Sequence, residues 1–247
     1  MAKVDTILFI VEGVKTEPFI MENLKKYFLK ANETIASKNI IVSYGTVIYG
    51  LYKKFLNKDG ELDLDIDTFP ILRKIDMQLK DIKRKDIDQI YLFFDYDGHA
   101  SNARDDKLFK MLKLFNDELD KGKLFVSYPM VEALRHLKDD IDFKDTKAIS
   151  EKAYKNISKE CDECFLHFND YLEENWHTVI SQHCQKANFI VNDTFEFPKN
   201  IIEQLKILEK QKEKYIDTEE KVGVLSAFPL FLLDYYGVNS ISKRIEA

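Results

Sequence analysis

Short apolar runs alternate with amphipathic stretches in the first half of the chain. Residues 4–11 (VDTILFIV) form a continuous apolar, β-branched run, which predicts a strand buried on both faces. Similar runs predict further strands at 39–44, 89–94 and 123–127. Helical spacing of apolar residues predicts helices between these strands: one with its N-cap at Thr16, two across 46–87 separated by the polar loop NKDGELDLD, and one at 107–119.

Strands that alternate with helices predict an α/β fold with a mainly parallel, Rossmann-like sheet flanked by helices. The ligand site of such a sheet lies at the carboxyl ends of its strands. From about residue 140 the strand signals fade and the pattern becomes helical to the end of the chain. We therefore expect a catalytic domain over 1–140, with a helical insertion at about 46–87, and a helical C-terminal region over 141–247.

Composition narrows the function classes. The 247 residues carry 37 basic and 43 acidic side chains, a net charge of −6, so a general nucleic-acid coat is excluded and nucleic-acid contact has to be local. The N-terminal apolar run is too short for a membrane span and lacks the features of a secretory signal. Three cysteines do not make a disulfide framework. We expect a cytoplasmic protein that does not contact membranes.

The candidate basic patches are Lys25, Lys26 and Lys30; Lys53 and Lys54; and Lys80, Lys83, Arg84 and Lys85.

Acidic residues stand directly after two of the predicted buried strands. Glu12 follows the first strand in VEGVKTE, and Asp95 and Asp97 follow a later one in FFDYDGH. Side chains alternate along an extended segment, so the two aspartates point the same way and all three carboxylates are expected at one sheet edge. Three like charges in one cleft are tolerated chiefly around a hard divalent cation, Mg²⁺ or alternatively Mn²⁺. Such a cation commonly also binds a substrate phosphate.

The Glu-Gly and Asp-x-Asp motifs together resemble the TOPRIM family, the catalytic domain shared by primases, topoisomerases and several nucleases. The resemblance covers roughly residues 4–130 and maps Glu12, Asp95 and Asp97 onto the family's acidic residues, and Gly13 onto its turn glycine. EGVKTEPFI, FFDYDGH and SYPMVEALRHL look most like the small stand-alone nucleases of bacterial phage defence, including the RloB-like group and the TOPRIM subunit of PARIS-type systems. In those proteins a glutamate begins a short helix after the last core strand, which implies a catalytic role for Glu132.

The resemblance implies a toxic, Mg²⁺-dependent endonuclease that hydrolyses RNA such as tRNA, or DNA, during abortive infection. It also implies an ATPase partner and an active homodimer. Asp95 and Asp97 would bind metal, while Glu12 would bind metal or act as general base. Lys15 would contact a substrate phosphate at the start of the first helix. His99 would assist proton transfer or hydrogen-bond a metal-ligating carboxylate.

Other interpretations stay open. The chain is too short for a topoisomerase or a primase and contains no P-loop motif. Cys161 and Cys164 form a CxxC pair that would supply two zinc ligands, or would be buried on a helix as small apolar residues. A non-catalytic binding module with the same fold, and a phosphohydrolase acting on a small molecule, are the alternative functions.

Overall fold

Five strands build the central sheet of the protein. In this computed structural model they are β1 (Thr6–Val11), β2 (Lys38–Ser43), β3 (Ile87–Asp95), β4 (Asn116–Asp117) and β5 (Gly122–Ser127), arranged in the order β2-β1-β3-β5-β4. The strand β1 lies between β2 and β3 and is parallel to both, whereas β4 runs antiparallel to β5. The predicted α/β class with a mainly parallel sheet is confirmed, and this sheet is compatible with a Rossmann-like fold.

The structure describes residues 6–29, 38–96, 105–149 and 153–246. Described residues up to 94, together with 105–124, form one compact unit; residues 95, 96 and 125–246 form a second. The first unit contains most of the central sheet, and the second contains most of the helices. The domain boundary expected near residue 140 stays a prediction.

The described residues contain eleven α-helices, four of them before β4 and seven in the second half of the chain. No described helix is long and apolar enough to cross a membrane. The helices are α1 (Thr16–Phe28), α2 (Ile48–Tyr52), α3 (Thr68–Arg73), α4 (Asp105–Leu114), α5 (Tyr154–Ile157), α6 (Glu163–Leu166), α7 (Glu173–Asn192), α8 (Gln204–Gln211), α9 (Asp217–Glu219), α10 (Ala227–Tyr236) and α11 (Val238–Ile245).

Burial on both faces explains the apolar composition of β1. All six of its side chains are buried, from Thr6 to Val11. Phe9 stacks on Tyr91 of β3 with ring centroids 5.9 Å apart, and it also contacts Phe93. A strand in this position offers no place for a charged side chain before it ends, so the first carboxylate after Thr6 is Glu12.

The two helices expected across 46–87 are shorter than predicted. The segment contains α2 and α3 together with three 3₁₀ turns at 53–55, 77–79 and 84–86. Asp67 and Asp76 interrupt the helical pattern, because their carboxylates accept from the backbone N–H groups of Phe69 and Gln78 and so begin new turns. The helix expected at 107–119 ends at Leu114, since the chain then forms the edge strand β4.

The sequence predicts a helical second half, but the structure also contains strands there. Two short strands, β6 (Lys147–Ala148) and β7 (Val222–Gly223), form an antiparallel ladder. The buried Gln211 side chain extends this ladder: its Nε2 donates to the carbonyl oxygen of Gly223 and its Oε1 accepts from the amide of Gly223, both at 2.8 Å. An amide side chain thereby takes the place of a neighbouring strand.

The helix α7 carries a buried lysine into the core of the second unit. The Nζ of Lys186 donates to three carbonyl oxygens, those of Phe143 at 3.0 Å, Thr146 at 3.1 Å and Lys144. These three bonds match the three donors of an ammonium group. Burial lowers the pKa of Lys186 to about 7, an effect that the nearby carboxylates of the 142–145 segment oppose.

We predict that Gly122→Ala destabilises the first unit far more than Gly60→Ala does. Both glycines have positive φ, +116° and +81°, so alanine costs about 1–2 kcal/mol of backbone strain at either site. A Cβ at Gly122 would also lie 2.6 Å from Leu92 Cδ1 and 3.0 Å from Ile90 Cγ2, whereas nothing lies within 4 Å at Gly60. Overpacking should add about 1–3 kcal/mol, measured by urea unfolding. Equal costs would contradict the packing of β5 on β3.

We predict that His183 makes the protein less stable as pH falls from 6.5 towards 3. Its ring is fully buried, its Nδ1 accepts from the amide of Ser226 at 3.1 Å, and burial lowers the pKa of His183 to about 3. The unfolded chain, with a His pKa near 6.5, binds one more proton in this window, so the free energy of unfolding falls by about 1.4 kcal/mol per pH unit from this group.

Urea unfolding between pH 7 and 5 measures this dependence. His183→Gln retains an acceptor for Ser226 and should flatten the pH dependence. His167→Gln, a control at an exposed position, should leave it steep. A wild-type slope in His183→Gln would refute the assignment.

Candidate active site

Backbone bonds hold Glu12 at the carboxyl end of β1. The amide of Glu12 donates to the carbonyl oxygen of Phe93 on β3 at 3.1 Å. Its own carbonyl oxygen accepts from the amide of Gly45, which follows β2, at 2.8 Å. Glu12 is half-buried. The main chain at this residue is therefore fixed on both sides within the first unit, which sets where its carboxylate can reach.

A second carboxylate, Glu17, shapes the turn that follows Glu12. Glu17 is 7% exposed, and its Oε1 accepts from the amide of Gly13 at 2.9 Å. A Cβ on Gly13 would lie 2.3 Å from Glu17 Oε2, so a larger residue at this position would require the Glu17 carboxylate to shift. The sequence had assigned the N-cap of α1 to Thr16. That was wrong: Thr16 is the first helical residue, Lys15 occupies the cap, and no side chain caps the helix.

The predicted phosphate contact Lys15 is exposed, at the start of α1. Its role in binding a phosphate stays a prediction. Lys53 and Lys54 are also exposed, on the 3₁₀ turn after α2. In contrast, Lys25 forms an ion pair with Glu22 at 3.1 Å. Within the first candidate patch, the charge of Lys25 is therefore partly neutralised by a neighbouring carboxylate.

Asp95 is the last residue of β3 rather than the first residue after it. It is half-buried, between Phe94 and Tyr96, which are both buried. The amide of Tyr96 donates to the carbonyl oxygen of Ser127 at 2.8 Å, so the carboxyl ends of β3 and β5 lie side by side. The predicted residues Asp97 and His99 lie outside the described residues, and their placement stays a prediction.

Glu132 is buried in the second unit, five residues after β5 ends. It lies in a 3₁₀ turn, Val131–Arg135, with Val131 and Leu134 in the core. Its side chain is 8% exposed, and Oε1 lies 3.6 Å from Lys155 Nζ. Its Oε2 has no hydrogen-bond partner among the described residues. Glu132 is therefore not a surface residue.

The nearest buried cation on the same turn is already engaged. Arg135 Nε and Nη2 each donate to Ser158 Oγ at 3.0 Å, and Nη2 also donates to the carbonyl oxygen of Lys155 at 3.0 Å. The guanidinium carbon lies 5.5 Å from the centroid of the Phe168 ring. These contacts direct Arg135 towards the 155–168 segment, so Lys155 is the cation that pairs with Glu132.

A tyrosine–histidine pair lies in the same region. Tyr154 Oη is 2.9 Å from His136 Nδ1. Burial, with a smaller contribution from the Glu132 carboxylate, raises the pKa of Tyr154 well above its usual value. Burial also lowers the pKa of His136. Both effects favour one arrangement, in which the tyrosine hydroxyl donates to a neutral imidazole.

The predicted site residues carry oxygen ligands. Glu12, Asp95 and Glu132 have carboxylates, the ligand type that Mg²⁺ prefers. Within the described ranges no three His, Cys, Asp or Glu residues are grouped to hold a metal, and this applies to these three carboxylates as well as to the CxxC motif. Cys164 is exposed and Cys161 is half-buried, so the alternative in which both are buried on a helix as small apolar residues does not hold.

Sequence reasoning did not find the contact of Lys155 with Glu132 or the hydrogen bond between Gly13 and Glu17. Lys155 is separated from Glu132 by 22 residues, and no periodicity connects them. Glu17 stands four residues after Gly13, a spacing that indicates the contact only once the turn geometry is known.

Searches against protein-family models, curated proteins and solved structures find no match.

We predict that Glu17→Ala destabilises the β1–α1 turn by about 1–2 kcal/mol, because it leaves the amide of Gly13 without its acceptor. Glu22→Ala, on an exposed position of the same helix, removes only a surface ion pair and should cost less than about 1 kcal/mol. Urea unfolding of both variants provides the comparison. Equal costs would show that the Glu17–Gly13 bond does not hold the turn.

Proposed function

We propose that this protein is a Mg²⁺-dependent nuclease of the TOPRIM type that hydrolyses phosphodiester bonds of nucleic acid. The observation that carries the proposal is the buried carboxylate of Glu132, whose Oε2 has no donor among the described residues. A buried polar atom without a hydrogen-bond partner raises the free energy of the folded protein, and a bound cation would offset this cost. Glu12 and Asp95 support the proposal, since each lies at the carboxyl end of a strand of a mainly parallel sheet.

The chemistry follows from the residue types. Mg²⁺, when bound, supplies Lewis-acid polarisation of the scissile phosphate and lowers the pKa of a bound water. In the proposal Asp95, Asp97 and Glu132 hold the cation through oxygen ligands. Glu12 holds the cation or accepts the proton of the attacking water. Lys15 contacts a phosphate oxygen of the substrate, and His99 relays a proton or orients a ligating carboxylate.

The biological setting is also part of the proposal. The resemblance to phage-defence nucleases favours a toxic effector controlled by an ATPase partner, with RNA such as tRNA or DNA as substrate and a homodimer as the active form. A net charge of −6 favours a confined contact with structured RNA over a broad duplex interface. A non-catalytic binding module is the second candidate, but a carboxylate buried without a donor gives such a module no evident benefit.

We predict that Glu12→Gln, Asp95→Asn and Glu132→Gln each reduce nucleic-acid cleavage at least about 100-fold without unfolding the protein. Each substitution removes one negative charge from the candidate site and retains the shape of the side chain. The assay incubates plasmid DNA, single-stranded DNA and total tRNA with Mg²⁺, Mn²⁺ or EDTA. Glu22→Gln, on the exposed face of α1, is the matched control and should cleave like wild type.

Metal-dependent cleavage that all three variants lose supports the nuclease and identifies its substrate class. Cleavage at wild-type rates in all three variants would refute the site. If the wild-type protein binds Mg²⁺ but cleaves no nucleic acid, even with the candidate ATPase partner present, the binding module becomes the better interpretation.

A further inference from the structure

One aromatic side chain of the first unit is exposed, in contrast to all the others. The chain has 18 Phe, 12 Tyr and one Trp. All of them lie within the described residues, and every one except Phe19 is buried or half-buried. Phe19 is 54% exposed, and its ring takes part in no ring–ring or cation–ring contact of the described residues. The surface of this ring would therefore gain free energy by contacting a ligand.

Phe19 shares one stripe of α1 with two exposed lysines. Lys15, Phe19 and Lys26 are all exposed. At 3.6 residues per turn their side chains project within about 40° of one another. At a rise of 1.5 Å per residue, Lys15 lies about 6 Å and Lys26 about 10 Å from Phe19 along the helix axis. The stripe therefore places an ammonium group on each side of the ring.

No carboxylate of the described residues neutralises these two lysines. Lys15 forms no ion pair there, and Lys26 Nζ donates to Tyr27 Oη at 2.9 Å. Glu22, the exposed acidic residue of α1, pairs instead with Lys25, whose Nζ lies 3.1 Å from both carboxylate oxygens. The positive charge beside the exposed ring is therefore available to an anion.

This combination fits single-stranded nucleic acid. An unpaired base offers an aromatic face to the ring, and the phosphates that flank the base meet the ammonium groups. In a duplex, neighbouring bases cover both faces of each base, so the ring has nothing to stack on. The core of a protein interface is an extended apolar area from which lysine is depleted. Apart from Val14, no other large apolar side chain of the described 6–29 segment is exposed.

We propose that the outer face of α1 binds single-stranded nucleic acid, with Phe19 stacked on an unpaired base and Lys15 and Lys26 at the phosphates on either side. The inference deepens the proposed function, on which it rests for the class of substrate. Since α1 begins four residues after Glu12, a strand held here lies next to the carboxyl end of β1. Stacking and ion pairing on α1 require no metal ion.

Fluorescence anisotropy of labelled single-stranded RNA, single-stranded DNA and a duplex of the same sequence tests the proposal, with the 247-residue protein in EDTA so that nothing is cleaved. Phe19→Ala should weaken binding of the single strands about 5- to 150-fold and leave duplex binding unchanged. Leu64→Ala, the control, removes another exposed apolar side chain of the first unit and should bind like wild type. The RNA and DNA arms identify which single strand the face prefers.

Lys15→Met should reduce the slope of log K against log salt concentration by about 0.7, the contribution of one phosphate contact to a single strand. A wild-type protein that binds neither single strand, or Phe19→Ala with wild-type affinity for both, would overturn the proposal.

Two further variants distinguish stacking from a general apolar contact. Phe19→Leu keeps an apolar side chain without a ring, and it should bind as weakly as Phe19→Ala. Phe19→Trp keeps a ring and should bind at least as tightly as wild type. Trp176 is buried, so the new indole is the exposed fluorophore, and single strands but not duplex should quench it. Wild-type affinity in Phe19→Leu would exclude stacking. Urea unfolding of Phe19→Ala should match wild type, because the ring is exposed.

Binding and cleavage separate this inference from the proposed function. If single strands bind through Phe19 in EDTA but nothing is cleaved with Mg²⁺, the binding face stands and the nuclease fails. If Glu12→Gln abolishes cleavage while Phe19→Ala neither weakens binding nor slows cleavage, the nuclease stands and the binding face fails. Sedimentation would overturn the proposal if Phe19→Ala changed the oligomeric state and left the affinity for single strands unchanged, since Phe19 would then belong to a contact between copies.

Discussion

Burial of β1 on both faces is the constraint on which the rest of the structure depends. Its six side chains are all buried, between the neighbouring strands β2 and β3. A parallel sheet of this kind requires crossover connections, so its strand ends meet loops and helix starts. Acidic residues are then accommodated at the strand ends, where Glu12 and Asp95 lie. The apolar strand thus leaves these two acidic residues at the carboxyl ends of neighbouring strands.

The sequence was sufficient for elements that bury many apolar residues and insufficient for those fixed by a few polar contacts. Long apolar runs located β1, β3 and β5 within about two residues. The two-residue strands β4, β6 and β7 have no periodicity to detect, and the side chain of Gln211 completes the β6–β7 ladder over a distance of 12 residues from Gly223. Asp67 and Asp76, which cap the short turns beginning at 68 and 77, are residue types that favour N-caps. The prediction gave more weight to the helical spacing of the apolar residues.

The residues of the candidate site also differ in how well the sequence predicts their positions. Glu12 and Asp95 follow apolar runs, so a strand prediction locates them. The burial of Glu132 depends on the core beneath its 3₁₀ turn, and its pairing with Lys155 depends on the Arg135 bonds that hold the 155–158 backbone. Contacts between residues more than 20 positions apart leave no local pattern, which is why the lysine was not anticipated.

Two buried charged groups in the second unit show how a structural group differs from a candidate ligand. Lys186 has three donors and meets three carbonyl oxygens, so nothing remains for a ligand to satisfy. Glu132 is also buried, but its Oε2 meets no donor in the described part of the chain and its Oε1 meets a cation reaching in from solvent. A buried charge whose hydrogen bonds are all made is compatible with a stable fold, whereas a buried carboxylate oxygen without a donor destabilises it. This difference makes Glu132, rather than the more deeply buried Lys186, the residue at which to look for function.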